Sequence, residues 1–114
     1  MGYEQPQLTT EQFLSVTYKL MLRKVNRLKD IENSKKRNKL PLPILKEKLD
    51  IISNLLEALR VLMLTLDYDT EMGVILSDIF TDFSRQLTLA NISEHEEASQ
   101  RYDICIAILD GFLE

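Results

Sequence analysis

The stretch Leu45–Leu66, LKEKLDIISNLLEALRVLMLTL, carries apolar residues at Leu45, Leu49, Ile52, Leu56, Leu59, Met63 and Leu66. Spacings that alternate between four and three put these residues on one stripe of an α-helix, which turns about every 3.6 residues. A second layer, Ile51, Leu55, Ala58 and Leu62, widens the apolar face. Val61 and Leu64 then fall on the side marked polar by Asp50, Ser53, Glu57 and Arg60. An apolar surface this broad needs neighbours on more than one side, as a bundle helix has. Those neighbours come from the rest of the chain or from another protein.

Upstream, ENSKKRNKLPLP (32–43) interrupts the pattern with cations and two prolines, and Pro43 suits the first position of the helix that follows, expected over about 43–66. Before it, a helix over about 10–32 turns Leu14, Tyr18, Met21, Val25 and Leu28 to one face, with Phe13, Val16 and Leu20 beside it. Thr9 and Gln12 stand in the capping-box relation, and Leu8 and Phe13 can close a hydrophobic staple. Residues 1–8 show no period and read as an arm.

Downstream, Asp67, Asp69, Thr70 and Glu71 supply cap candidates and negative charge for the next helix. That helix, about 70–90, places Met72, Leu76, Ile79, Phe83, Leu87 and Ala90 on one face with Phe80 beside them, and Asn91 as C-cap. Ser93 and Glu96 predict a second capping box, opening a helix over about 94–113 that carries Ala98, Tyr102, Cys105, Leu109 and Phe112 inward. Four helices with two very short connections predict an all-α, antiparallel up-down-up-down bundle, a single domain over 9–114 behind the arm at 1–8.

Composition narrows the function. A net charge of −4 over 114 residues opposes a general affinity for nucleic acid or anionic membranes. No uncharged run approaches the roughly 18 residues of a membrane span, and no basic segment leads into an apolar core near Met1. The single Cys105 forbids an intrachain disulfide and fits a reducing compartment, so the expected location is the cytoplasm. One histidine and one cysteine cannot build a zinc site, and Gly2, Gly73 and Gly111 are too scattered for a phosphate-cradling loop. Glu94, Glu96 and Glu97 open a helix and answer its dipole rather than forming an acid/base pair. A phosphate on His95 would be repelled by those three glutamates. No metal, cofactor or catalytic constellation is expected, and the chain reads as a non-enzyme. The basic run Lys35, Lys36, Arg37 and Lys39 reads as a solvated linker.

Several apolar residues fall where a lone bundle would be polar. Val61 and Leu64 on the second helix, Val74 on the third and Leu89 further along all lie off the inward faces. The short turn brings Val61, Leu64 and Val74 toward one end, where a contiguous group would accept a partner helix.

Tyr3-Glu-Gln-Pro-Gln-Leu-Thr-Thr10, Leu66-Asp-Tyr-Asp69, Gly73, Ile79-Phe80 and Leu87-Thr-Leu-Ala-Asn91 together resemble the flagellin export chaperone (FliS) family, over most of the chain. The resemblance implies a cytoplasmic four-helix chaperone. It would bind the disordered C-terminal segment of flagellin, let it become helical in apolar grooves, prevent premature polymerisation and aid type III export, with an export-gate component as a further partner. It adds Tyr18, Phe80 and Asn91 to Val61, Leu64 and Val74 as partner-binding residues, and Tyr3 as part of an arm over the groove. The competing expectation is an interaction or scaffold protein whose apolar surplus makes a homodimer or meets another client. A monomer or weak homodimer, with no nucleic-acid or membrane partner, fits both.

Overall fold

The computed structural model describes residues 9–35 and 39–114. Four helices occupy them: α1 (Thr10–Asn33), α2 (Leu42–Leu64), α3 (Glu71–Ile92) and α4 (His95–Leu113). Among the described residues there is no β-strand, and the helices form the expected bundle.

The helix starts follow from short-range chemistry. The Thr9 hydroxyl accepts from the Gln12 backbone N–H at 3.1 Å, and the Gln12 carboxamide accepts from the Thr9 N–H at 2.9 Å, completing the capping box. Leu8, the other half of the expected staple, lies outside the described residues. Thr70 caps α3 by accepting from the Gly73 N–H at 3.0 Å. Gly73 is required there, because a Cβ on it would stand 1.8 Å from the carbonyl oxygen of Asp67, so the α2–α3 turn folds back onto bare backbone.

Two expected caps are replaced. The third helix runs on through Asn91 to Ile92 and ends at Ser93, whose backbone is extended. Ser93 turns its hydroxyl back to the carbonyl of Leu89 and is unavailable to α4, which starts from Glu94 without a side-chain cap. The link between the two helices is too short for one serine to serve both.

Each helix packs against its two neighbours in the cyclic order α1, α2, α3, α4. Ion pairs and hydrogen bonds fix the antiparallel sense: Arg27 with Glu47 between α1 and α2, Lys29 with Asp103 between α1 and α4, and Arg101 with Gln86 between α4 and α3. The closest helix approaches are those of α4 to α1 and α3, while α2 stands further from its neighbours. Residue size accounts for this, since interaxial distance follows the side chains at the contact. Ala90, Ala98 and Cys105 are fully buried around α4, whereas α2 offers only bulky residues, Ile52, Leu55, Leu59 and Leu62.

The buried stripe of α2 is Lys48, Ile52, Leu55, Leu59 and Leu62, rotated from the one the spacing favours. Leu45 and Leu49 are exposed, and Leu56 and Met63 are only partly covered. When nearly every position is apolar the pattern bounds the rotation loosely, and the neighbouring helices choose the face. The core matches expectation for α1, with Tyr18, Met21, Val25 and Leu28, and for α4, with Tyr102, Cys105 and Leu109. On α3 Phe83 and Leu87 are buried as expected, but Phe80 joins them while Met72, expected on the inward face, is exposed because it lies in the first turn, beyond the reach of the neighbouring helices. Full burial of each aliphatic or aromatic side chain contributes about 1.5–3 kcal/mol.

Candidate partner-docking surface

Fourteen large apolar side chains are exposed among the described residues, and nine of them gather at one end of the bundle: Phe13, Val16, Leu20, Val61, Leu64, Tyr68, Met72, Val74 and Ile75. This is the end where α1 begins, α2 finishes and α3 begins. The opposite end exposes fewer apolar residues, Leu42, Leu45 and Ile92, and holds a buried ion pair. There the carboxylate of Glu32, 1 % exposed, holds the Lys35 ammonium at 2.9 and 2.7 Å from its two oxygens, with His95 Nδ1 at 3.8 Å. Lys35 of the basic linker is thus engaged by a buried acid, while Lys36 and Arg37 lie outside the described residues.

Phe13, Val16 and Leu20 recur at i, i+3 and i+7 and form one stripe of α1. Arg27, about two turns beyond Leu20, continues that stripe and reaches α2, donating to Glu47 through Nε at 2.7 Å and Nη2 at 2.9 Å. The stripe therefore runs beside α2. On α2, Ala58 and Val61 lie about three and four turns beyond Glu47 and share its side of the helix. The result is a groove between α1 and α2, bounded by an ion pair near the linker and apolar toward the far end. Along it α1 and α2 approach each other less closely than α1 and α4 do.

The α2–α3 turn carries the apolar surface onward. Tyr68 is anchored by its hydroxyl, which donates to the Met63 carbonyl at 2.9 Å, and its ring remains half exposed. Leu64 is 71 % exposed and Met72 62 %, with Val74 close to half exposed on the first turns of α3. Lys19, Arg23 and Lys24 border the α1 side.

Of the residues expected to meet a partner, Val61, Leu64 and Val74 are all exposed at this end. Tyr18 and Phe80 are core residues at 9 % and 2 % exposure. Both lie under Phe112, which stacks on Tyr18 with centroids 4.9 Å apart and meets Phe80 edge-on at 5.7 Å. Burial pushes the Tyr18 phenol pKa up. Direct contact with either ring requires Phe112 to move aside. Asn91 is exposed, but in the last turn of α3, at the opposite end from the others. Tyr3 lies outside the described residues. Phe13, Val16 and Leu20 were placed merely beside the core by sequence, and they form one wall of the groove. Their own spacing, interleaved with Lys19, Arg23 and Lys24, carries that signal.

Among the described residues, no three His, Cys, Asp or Glu side chains come together in a way that could hold a metal ion. The Cys105 thiol is buried, its pKa pushed up to about 12 by burial first and by the charge of Asp82 second. Among the described residues, no helix is long and apolar enough to cross a membrane. Comparison with protein-family models, with curated proteins and with solved structures finds no match to the chain.

Proposed function

We propose that the protein is a non-enzymatic cytoplasmic export chaperone that holds the C-terminal segment of a flagellin as a helix, keeps it from polymerising prematurely and helps present it for type III export. The observation that carries this reading is the gathering of nine exposed apolar residues at one end of the bundle, where α1 and α2 approach each other less closely than α1 and α4 do. The sequence resemblance supplies the identity of the client.

The physics of such a client suits the surface. A disordered segment that folds on binding loses conformational entropy and must recover it from apolar burial. Phe13, Val16 and Leu20 present that area in a line on α1, with Val61 on the facing α2, a surface suited to a helix with anchors at i, i+3, i+4 and i+7. The cations on α1 favour a client with acidic flanks.

Calorimetric titration with the C-terminal segment of flagellin from the same organism, with circular dichroism of the mixture, tests the reading. Tight binding with gained helicity and a negative heat-capacity change is expected. No binding at tens of micromolar removes flagellin as the client. Concentration-dependent mass then decides whether the surface joins two copies of the chain instead.

A further inference from the structure

The groove on the other side of the bundle, between α3 and α4, has the opposite electrostatic character. It encloses about 520 Å³ over a floor of Ile79, Ile108 and Phe112. Asp78 and Asp82, one turn apart on α3, form one rim. Asp82 is engaged by Arg85 at 2.8 Å, while Asp78 has no ion-pair partner among the described residues. The other rim, on α4, is Ala107 and Gly111.

Gly111 is unexplained by the chain's own packing. A Cβ added there meets nothing within 4 Å, unlike the one at Gly73. Glycine inside a helix costs about 0.5–1 kcal/mol relative to alanine, and no neighbour among the described residues requires it. A residue without a side chain, one turn from an alanine and beside an apolar groove, allows another backbone to come close. Charge adds an independent constraint. Residues 66–114 hold eleven Asp and Glu against two Lys and Arg, whereas residues 1–65 hold seven against twelve. The half of the chain that holds α3 and α4 is thus strongly acidic and the other half basic, and at the groove itself the charges are those of Asp78 and Asp82.

We infer that the α3–α4 groove is a second docking surface, for a cationic amphipathic helix of a partner protein distinct from the client. Its apolar stripe seats on Ile79 and Ile108, its basic flank meets Asp78 and Asp82, and its backbone approaches over Ala107 and Gly111. The cyclic helix order places this groove opposite the one between α1 and α2, so both partners can be held at once.

The test uses the full-length protein and a fluorescently labelled Leu/Lys peptide with leucines at i, i+3, i+4 and i+7, read by anisotropy at low salt. Expected are binding in the micromolar range, weakening on added salt, and no binding of the matching Leu/Glu peptide. Gly111→Trp fills the groove from a position with open space around it, and should weaken binding by at least about tenfold with the helical signal unchanged. Asp78→Lys with Asp82→Lys should do the same, whereas Val61→Asp should leave binding intact. Absence of binding at hundreds of micromolar overturns the inference, as does binding that survives Gly111→Trp. Loss with Val61→Asp alone would place the peptide in the client groove and overturn it equally. Self-association of the unmodified protein that Gly111→Trp abolishes would make a second copy the occupant, against the partner assigned here.

Discussion

Phe112, in the last turn of α4, lays its ring against Tyr18 of α1, the centroids 4.9 Å apart and the planes inclined by 26°. The same ring meets Phe80 of α3 at 5.7 Å, so one half-buried side chain ties three helices together at the apolar end of the bundle. Replacing Phe112 by alanine should therefore cost about 2 kcal/mol of stability and change the tyrosine signal in near-ultraviolet circular dichroism. Denaturant unfolding with both probes checks this. An unchanged midpoint would mean that the three helices hold together without the ring.

Val61 and Leu64 are exposed and bear no core load. Val61→Asp and Leu64→Asp should leave stability within about 0.5 kcal/mol of the wild type while weakening client binding by about tenfold or more. Leu20→Asp, across the same groove, should behave alike. Thermal melts read beside the calorimetric titration separate the effects, and a lost helical signal would show these positions to be structural.

The two helical glycines should respond in opposite directions. Gly73→Ala forces a Cβ into the Asp67 carbonyl, 1.8 Å away, and should cost at least about 2 kcal/mol. Gly111→Ala meets open space and should be neutral or stabilising by up to about 1 kcal/mol. Paired urea unfolding curves suffice, and similar midpoints for the two variants would contradict the turn geometry.

Alkali should destabilise the fold through two buried acids that are uncharged when protonated. Burial lifts the Cys105 thiol from 9.0 to about 12, and burial, followed by the charges of Glu32 and Cys105, raises the Tyr102 phenol further still. A folded-state pKa above the unfolded one means that the native state holds its proton longer. The associated stability is complete below the unfolded pKa and is lost as pH rises above it. Between about pH 9 and pH 11 the melting temperature should fall, each group contributing up to about 1.4 kcal/mol per pH unit once it ionises only in the unfolded chain. Cys105→Ala should reduce the slope. Iodoacetamide should label Cys105 in denaturant and not in the native protein, and equal labelling in both would refute its burial.

Much of this architecture is legible without coordinates. The capping box at Thr9 and Gln12, the prolines before α2, Thr70 before α3 and the seven-residue spacing of Ala98, Cys105 and Phe112 are local signals, each acting within about two turns of its own helix. They determine where helices start, how long they run and, for α1 and α4, which face turns inward. With short links between α2 and α3 and between α3 and α4, they also determine the antiparallel order.

Tertiary structure alone decided the rotation of α2 and the fate of the surplus apolar residues. In a helix where Leu45, Leu49, Leu56 and Met63 compete with Leu55 and Leu62, no stripe wins by pattern. The small residues around α4 drew α1 and α3 close and left α2 further out, exposing Leu45 and Leu49 and opening a groove along Phe13, Val16 and Leu20. Tyr18 and Phe80 went under Phe112 for the same reason, because three helices converge there. Helix formation is a local property of the chain, and its boundaries can be read from neighbouring residues. Which apolar residue is covered depends on the distances between helices, and those are set by side chains far apart in sequence.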